Sequence, residues 1–265
     1  MKNLSNKLLW AALLAGATAA HADVTVTSTT AGKASFINLG GTTTNFIKGN
    51  RMRADSVMGG RTDALIIDID GKRFVNIDDR KKSATVTPLA SIADELGKVG
   101  VGGMQASLTK TSRVEKVAGY SCTVHDISVS VPFSPTGKMG EGMDTTMLLS
   151  GTVCLSTTAP GLADYQKFYR ASADSGFIFG DPRTAKSPTG AAQAKAYAEL
   201  TRKMAAAGMA LESHVTITAK GDNPIAGMMA KLAASNISTT VTQIVVGDLP
   251  ADRFDVPAGY KVKTK

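Results

Sequence analysis

The sequence predicts a β-rich α+β fold: one large, curved antiparallel sheet with helices laid on one face. Three observations predict it. Period-two alternation of apolar and polar residues recurs along the chain, and the runs are joined mostly by short turns. Only two stretches carry a convincing helical period, and they follow one another between strands. No regular β-α-β unit occurs, which disfavours a doubly wound parallel sheet.

Taken in order, Asp23 to Thr30 sets Val24 and Val26 against threonines, as a half-buried strand does. Thr42 to Lys48 and Arg51 to Val57 read as the next two strands, turning at Gly49-Asn50. Ala64 to Ile69 and Lys72 to Ile77 flank Asp70-Gly71, a two-residue hairpin signal. Ser83 to Thr87 follows the basic turn Arg80-Lys81-Lys82. Pro88 suits the first turn of a short helix reaching about Lys98, where its missing N–H costs nothing. Gly97 to Gly103 reads as a loop. Met104 to Val117 begins with clear alternation, Met104, Ala106 and Leu108 against Gln105, Ser107 and Thr109. Cys122 to Val131 and Thr145 to Cys154 are two β-like runs around a Pro-, Gly- and Met-rich loop, Pro132 to Asp144.

Leu162 to Ser175 then switches to helical period, with Leu162, Tyr165, Phe168, Tyr169 and Ser172 on one stripe and Gly176 as its stop. Ala191 to Ala207 is the second helix, with Tyr197, Leu200 and Met204 on one face and Glu199 and Lys203 as an i,i+4 pair. Leu211 to Lys220 returns to strand. Ile225 to Ala234 reads as a short helix or a loop, and Ile237 to Val246 as a long strand. Phe254 to Tyr260 closes the chain as an apolar clasp around Pro257 and Gly259. The count is ten or eleven strands, nearly all in a meander, in one domain over residues 23–265.

The first 22 residues carry Lys2 and Lys7, an apolar run from Leu8 to Ala20 and the small-x-small site Ala20-His21-Ala22. That is the pattern of a cleavable secretory signal, with cleavage between Ala22 and Asp23. The apolar run is shorter than the ~20 residues of a membrane span. Cleavage leaves 243 residues, enough for a sizeable core, and lowers the formal charge from +8 to +6. The expected location is the periplasm, or the exterior.

An oxidising compartment suits a disulfide between the only two cysteines, Cys122 and Cys154; the alternative is a pair of free core thiols. Folding the two β-like runs as a hairpin about the centre of their loop places residue 131 opposite 145 and Cys122 opposite Cys154. Opposed Cα atoms lie ~4.5–5.5 Å apart, within disulfide reach.

Catalytic signatures are missing. There is no H-E-x-x-H, C-x-x-C, G-x-S-x-G or P-loop, so no enzyme and no cofactor are expected. His125 and His214 each sit in a strand-like run without a second histidine at ligand spacing. Asp68-x-Asp70-Gly71 starts like a calcium loop but lacks the remaining ligands. Aromatic residues make up only 5% of the chain, and the modest positive charge is spread along it, so nucleic acid is not an expected partner.

Several stretches resemble the secreted bacterial proteins grouped as domain of unknown function 4412. They are Phe46-Ile47-Lys48-Gly49-Asn50-Arg51-Met52-Arg53, the run Leu65 to Asp78, Gly119-Tyr120-Ser121-Cys122, Gly151 to Ser156 and Pro257 to Lys261. That family is similar in plan to the LolA/LolB-type lipoprotein carriers. The resemblance implies an unclosed, LolA-like β-barrel with helices covering its concave face over an apolar cavity for acyl chains. It carries over no functional residues.

Two features bear on function. Tyr165, Phe168, Tyr169, Tyr197, Leu200 and Met204 are candidate lining of such a cavity, the alternative being plain core between helices and sheet. If they line a cavity, Phe168→Ala costs less stability than a close-packed phenylalanine would. Met139, Met143 and Met147 recur at intervals of four, and Met228 and Met229 stand together. Thioethers suit Cu(I) or adaptable apolar contacts. The leading expectation is therefore a non-enzymatic carrier of a lipid, acyl chain or lipoprotein tail. The alternatives are a structural or protein-interaction module with a filled cavity, and a methionine-based copper binder.

Overall fold

Twelve strands hydrogen-bond into one sheet in the computed structural model. It describes residues 23–34, 37–90, 104–133, 144–175, 188–223, 226–227, 230 and 235–264. The strands are β1 Val24–Ala34, β2 Ile37–Lys48, β3 Arg51–Met58, β4 Arg61–Asp68, β5 Arg73–Asp78, β6 Ser83–Pro88, β7 Gln105–Val117, β8 Tyr120–Phe133, β9 Thr145–Ser156, β10 Met209–Lys220, β11 Ser235–Val246 and β12 Lys261–Thr264. Their order is β12-β6-β5-β4-β3-β2-β1-β11-β10-β9-β8-β7. Two antiparallel meanders meet where β1 pairs with β11. The ends, β12 and β7, do not pair with each other, so the sheet is unclosed. Helices α1 (Leu162–Asp174) and α2 (Pro188–Ala207) lie between β9 and β10 in sequence.

Strand pairing carries one face of the sheet from Met52 through Ile47, Val24 and Val26 to Leu211, Val153 and Ile127. Both helices pack on this face. Phe168 and Tyr169 of α1 join Val24, Ile47, Met52, Ile67 and Phe74 in the main core, while Ala196 and Leu200 of α2 cover Ile127, Val129, Val153 and Leu155. The opposite face is covered differently. Ala64, Ile66, Val75, Ile77 and Ala84 form a third cluster under Val256 and Tyr260 of the C-terminal segment.

That segment is the apolar clasp read from Phe254 to Tyr260, and it does more than the sequence suggested. A 3-10 turn, Ala251–Phe254, buries Phe254 completely. The Arg51 guanidinium stands over the Phe254 ring at 5.1 Å, and that of Arg253 over Phe46 at 4.2 Å. Arg53 Nη1 donates to the Arg253 carbonyl at 3.2 Å, and the Tyr260 hydroxyl donates to Asp79 at 2.8 Å. The chain then adds β12, the twelfth strand, parallel to β6. Four residues, Lys-Val-Lys-Thr, hold too little pattern for that strand to be read in advance.

Other expectations are corrected. Asp70-Gly71 does not form a two-residue turn. Asp68 pairs with Arg73, leaving a four-residue turn, because Asp68 Oδ1 accepts the Gly71 N–H at 2.8 Å and Lys72 takes φ 49°. Pro88 ends β6 instead of opening a helix at its own position. It pairs with Arg73, where a terminal strand position tolerates its missing N–H. Most of the expected helix to Lys98, and the loop Gly97 to Gly103, lie outside the described residues. β2 starts at Ile37, and α2 starts at Pro188 rather than Ala191. Most of Ile225 to Ala234 also lies outside the described residues.

The Cys122–Cys154 disulfide is present, with Cα atoms 5.3 Å apart on the adjacent strands β8 and β9. The register differs from the expected one by two residues. Val131 faces Met147 and Val124 faces Cys154, so the bridge is diagonal. A two-residue slip preserves the face each side chain occupies, which is why the pairing survives it.

Candidate functional site

The helix stripe is divided among three environments. Tyr165 and Tyr169, one turn apart on α1, lie with ring centroids 4.2 Å apart and their planes tilted by 43°. They border a recess of about 150 Å³ shared with Val26, Ser28, Asn45, Leu211 and Ser213. Burial pushes the Tyr165 hydroxyl up to about 12, partly offset by hydrogen bonds from the Ala210 N–H and the Tyr169 hydroxyl. Tyr169 is pushed up in the same direction, first by burial and then by the Tyr165 neighbour. Phe168 lies on the same helix but points into the main core. It has no exposed surface and meets Tyr169 edge-on at 5.4 Å. Tyr197, Leu200 and Met204 belong to the cluster over β7–β10 and do not line the tyrosine recess. Burial raises the Tyr197 hydroxyl as well. Lys203, on the same helix, donates to the Ala106 carbonyl of edge strand β7 at 2.7 Å and ties α2 to it.

A second concavity escaped the sequence reading. Across β3–β6, on the helix-bearing face but at the end where the β3–β4 and β5–β6 turns lie, is a groove of about 520 Å³. Its floor is polar: Ser56, Asn76, Ser83, Thr85 and Thr87 supply hydroxyls and an amide, and Arg61, Asp63, Asp78 and Lys81 supply charges of both signs. The backbone N–H of Lys81 and its ammonium, at 3.0 Å, hold the Asp78 carboxyl below the usual carboxylate range. Among the described residues no aromatic ring lines the groove. The signal that could have found it is the inward column of polar residues, Ser56, Asp63, Asp78 and Ser83, which are successive cross-strand partners. It is recognisable only once that register is known.

The residues weighed for metal chemistry have structural partners. His125 is buried and bonds the Thr123 carbonyl through Nδ1 at 2.9 Å. His214 Nδ1 lies 2.9 Å from Ser238 Oγ and its Nε2 3.5 Å from Glu212. Asp68 holds Arg73 and the Gly71 N–H, and Asp70 accepts from Asn50 Nδ2 at 2.9 Å. Among the described residues no group of three His, Cys, Asp or Glu could hold a metal ion. Met147 packs into the cluster over β7–β10. Met139, Met143, Met228 and Met229 lie outside the described residues. No described helix is long and apolar enough to cross a membrane.

Asp23, the expected first residue of the processed chain, is built into the fold. It is 8% exposed; its carboxylate accepts Lys48 Nζ at 2.5 Å and the Leu249 N–H at 2.7 Å, and its carbonyl accepts the Gly247 N–H at 3.0 Å. Residues 1–22, including Ala22, lie outside the described residues.

No protein-family model matches the chain, and no curated protein does. The resemblance to domain of unknown function 4412 therefore rests on its short motifs alone. Solved structures give similarity at low identity. One is an uncharacterized conserved protein from Thermus thermophilus, 7% identical over 93% of this chain and 92% of that one, with TM-score 0.42. Another is MucB in complex with MucA, 12% identical over 92% of this chain and 58% of that one, with TM-score 0.35. A third is a LolA superfamily protein from Nitrosomonas europaea, 8% identical over 89% of this chain and 90% of that one, with TM-score 0.30.

Proposed function

We propose that this chain is a non-enzymatic binding module of the cell envelope, exported, cleaved after Ala22 and periplasmic, that engages a polar partner in the groove across β3–β6. The observation that carries this reading is the contrast between the two concavities. The recess beside Tyr165 and Tyr169, about 150 Å³, is below the ~300–1,000 Å³ of typical small-molecule sites. The groove, about 520 Å³, is within that range, and hydroxyl, amide and charged groups outnumber its apolar lining of Ala54, Ala64, Leu65 and Ile77. Hydroxyl and amide side chains that both donate and accept suit the N–H and C=O groups of an extended polypeptide, so the favoured partner is a segment of another exported protein. On this reading α1 and α2 complete a packed core and do not lid an acyl-chain cavity.

The test is native mass spectrometry of the protein purified from the periplasm, joined to titration with a fluorescent fatty acid. The expected result is no saturable fatty-acid binding and a peptide adduct that Asn76→Arg, which fills the groove floor, removes. Co-purified lipid, or saturable fatty-acid binding weakened by Tyr165→Ala, would overturn the reading in favour of an acyl carrier.

A further inference from the structure

The rim of the groove and the sheet edge beside it are strongly basic. The β5–β6 turn carries Arg80, Lys81 and Lys82, all exposed. The Lys261 N–H donates to the Lys82 carbonyl at 2.9 Å, which sets β12 beside this turn. The parallel register places Lys261 next to Ser83 and Lys263 next to Thr85, on the same face as the groove floor and about 7 Å apart along the strand. Arg61 borders the same groove as Lys81. The acidic groups here are mostly engaged: Asp78 is paired with Lys81, and Asp79 accepts the Tyr260 hydroxyl. Among the described residues Asp63 is the remaining carboxylate of the groove. Against it stand Arg61, Arg80, Lys82, Lys261 and Lys263, none of which has an ion-pair partner among the described residues.

Lysine on an edge strand blocks unwanted strand pairing, and that accounts for Lys261 and Lys263. It does not account for a run of three cations in the neighbouring turn or for Arg61. Cations gathered along the edge strand, the neighbouring turn and the groove rim form a surface for a plane of negative charge.

We propose that this basic edge docks the protein onto the phosphates of anionic lipid headgroups at a membrane surface. Binding is electrostatic and peripheral: ammonium and guanidinium groups meet lipid phosphates, and nothing inserts. The proposal does not depend on what the groove holds. Each such contact contributes roughly a fivefold change in affinity at low salt.

The experiment is co-sedimentation of the chain from Asp23 with vesicles containing phosphatidylglycerol, compared with vesicles of phosphatidylcholine alone, across a salt series. The expected result is binding to the anionic vesicles only, fading as salt rises. Arg80→Glu/Lys82→Glu/Lys261→Glu should lower it on the order of a hundredfold or more. Lys110→Glu/Arg113→Glu/Lys116→Glu, on the opposite edge strand β7, makes the same change in net charge and should retain most of the binding. All six side chains are exposed, so stability is little affected; unaltered circular dichroism checks this, and Gln replaces Glu where it does not hold. Asn76→Arg, which adds a cation, should not weaken vesicle binding, which separates this proposal from the reading of the groove. Equal loss in both triple variants, equal binding to neutral vesicles, or no binding at low salt would overturn it. So would tighter binding of polyglutamate than of anionic vesicles, which would make the partner an acidic protein.

Discussion

Phe168→Ala separates a packed helix–sheet interface from a ligand cavity. Phe168 has no exposed surface, meets Tyr169 edge-on at 5.4 Å and belongs to the cluster that includes Val24, Met52 and Phe74. Truncating a phenylalanine in such surroundings removes the transfer energy of the ring and leaves a cavity that the sheet beneath cannot close, because its strands are fixed by pairing on both sides. The expected cost is about 3–5 kcal/mol. The lost ring pair is included in that figure and accounts for about 0.5–1.5 kcal/mol of it. For a chain of this size the melting temperature should fall by about 6–20 °C. Urea denaturation followed by circular dichroism, with fatty-acid titration on the same samples, measures both sides of the question. A loss below about 1 kcal/mol, accompanied by fatty-acid binding in the wild type, would mean that Phe168 borders open space.

Replacing both Cys122 and Cys154 by alanine should lower stability by about 3–4 kcal/mol, since the bridge closes a loop of sequence separation 32, and unreduced, denatured wild type should show no free thiol. Asp23→Ala should cost about 1–2 kcal/mol in the same denaturation assay, because Lys48 can return to water while the Leu249 N–H loses its acceptor; Asp23→Asn, which keeps an acceptor, should cost less. Amino-terminal sequencing of protein exported by a native host should begin at that residue. Stability should be fully present below about pH 10 and fall as pH rises toward 12, because unfolded tyrosine ionises near 10 whereas Tyr165 in the fold resists ionisation up to about 12. Tyr165→Phe should reduce that alkaline slope, and a slope unchanged by it would assign the effect elsewhere.

Local pattern determined much of this protein. Alternation placed β1, β3, β7, β10 and β11 close to their observed positions, because a strand with one buried face must repeat every two residues. Helical period placed α1 and α2 one after the other between strands, and cysteine number with an export-type leader pointed to the Cys122–Cys154 bridge, which tolerates the two-residue slip in register. Tertiary structure alone decided the rest. The stripe on α1 and α2 reads as one apolar face, yet Phe168 is enclosed in the main core, Tyr165 and Tyr169 pack on that core while bordering a small recess, and Leu200 meets a different cluster, since helical period says which residues share a side and not what that side meets. The polar groove and the basic edge unite residues from positions 56 to 87 with Lys261 and Lys263. No local spacing joins them. What joins them is the register of four consecutive strands and the return of the C-terminal chain to pair with β6, and those contacts exist only in the folded sheet.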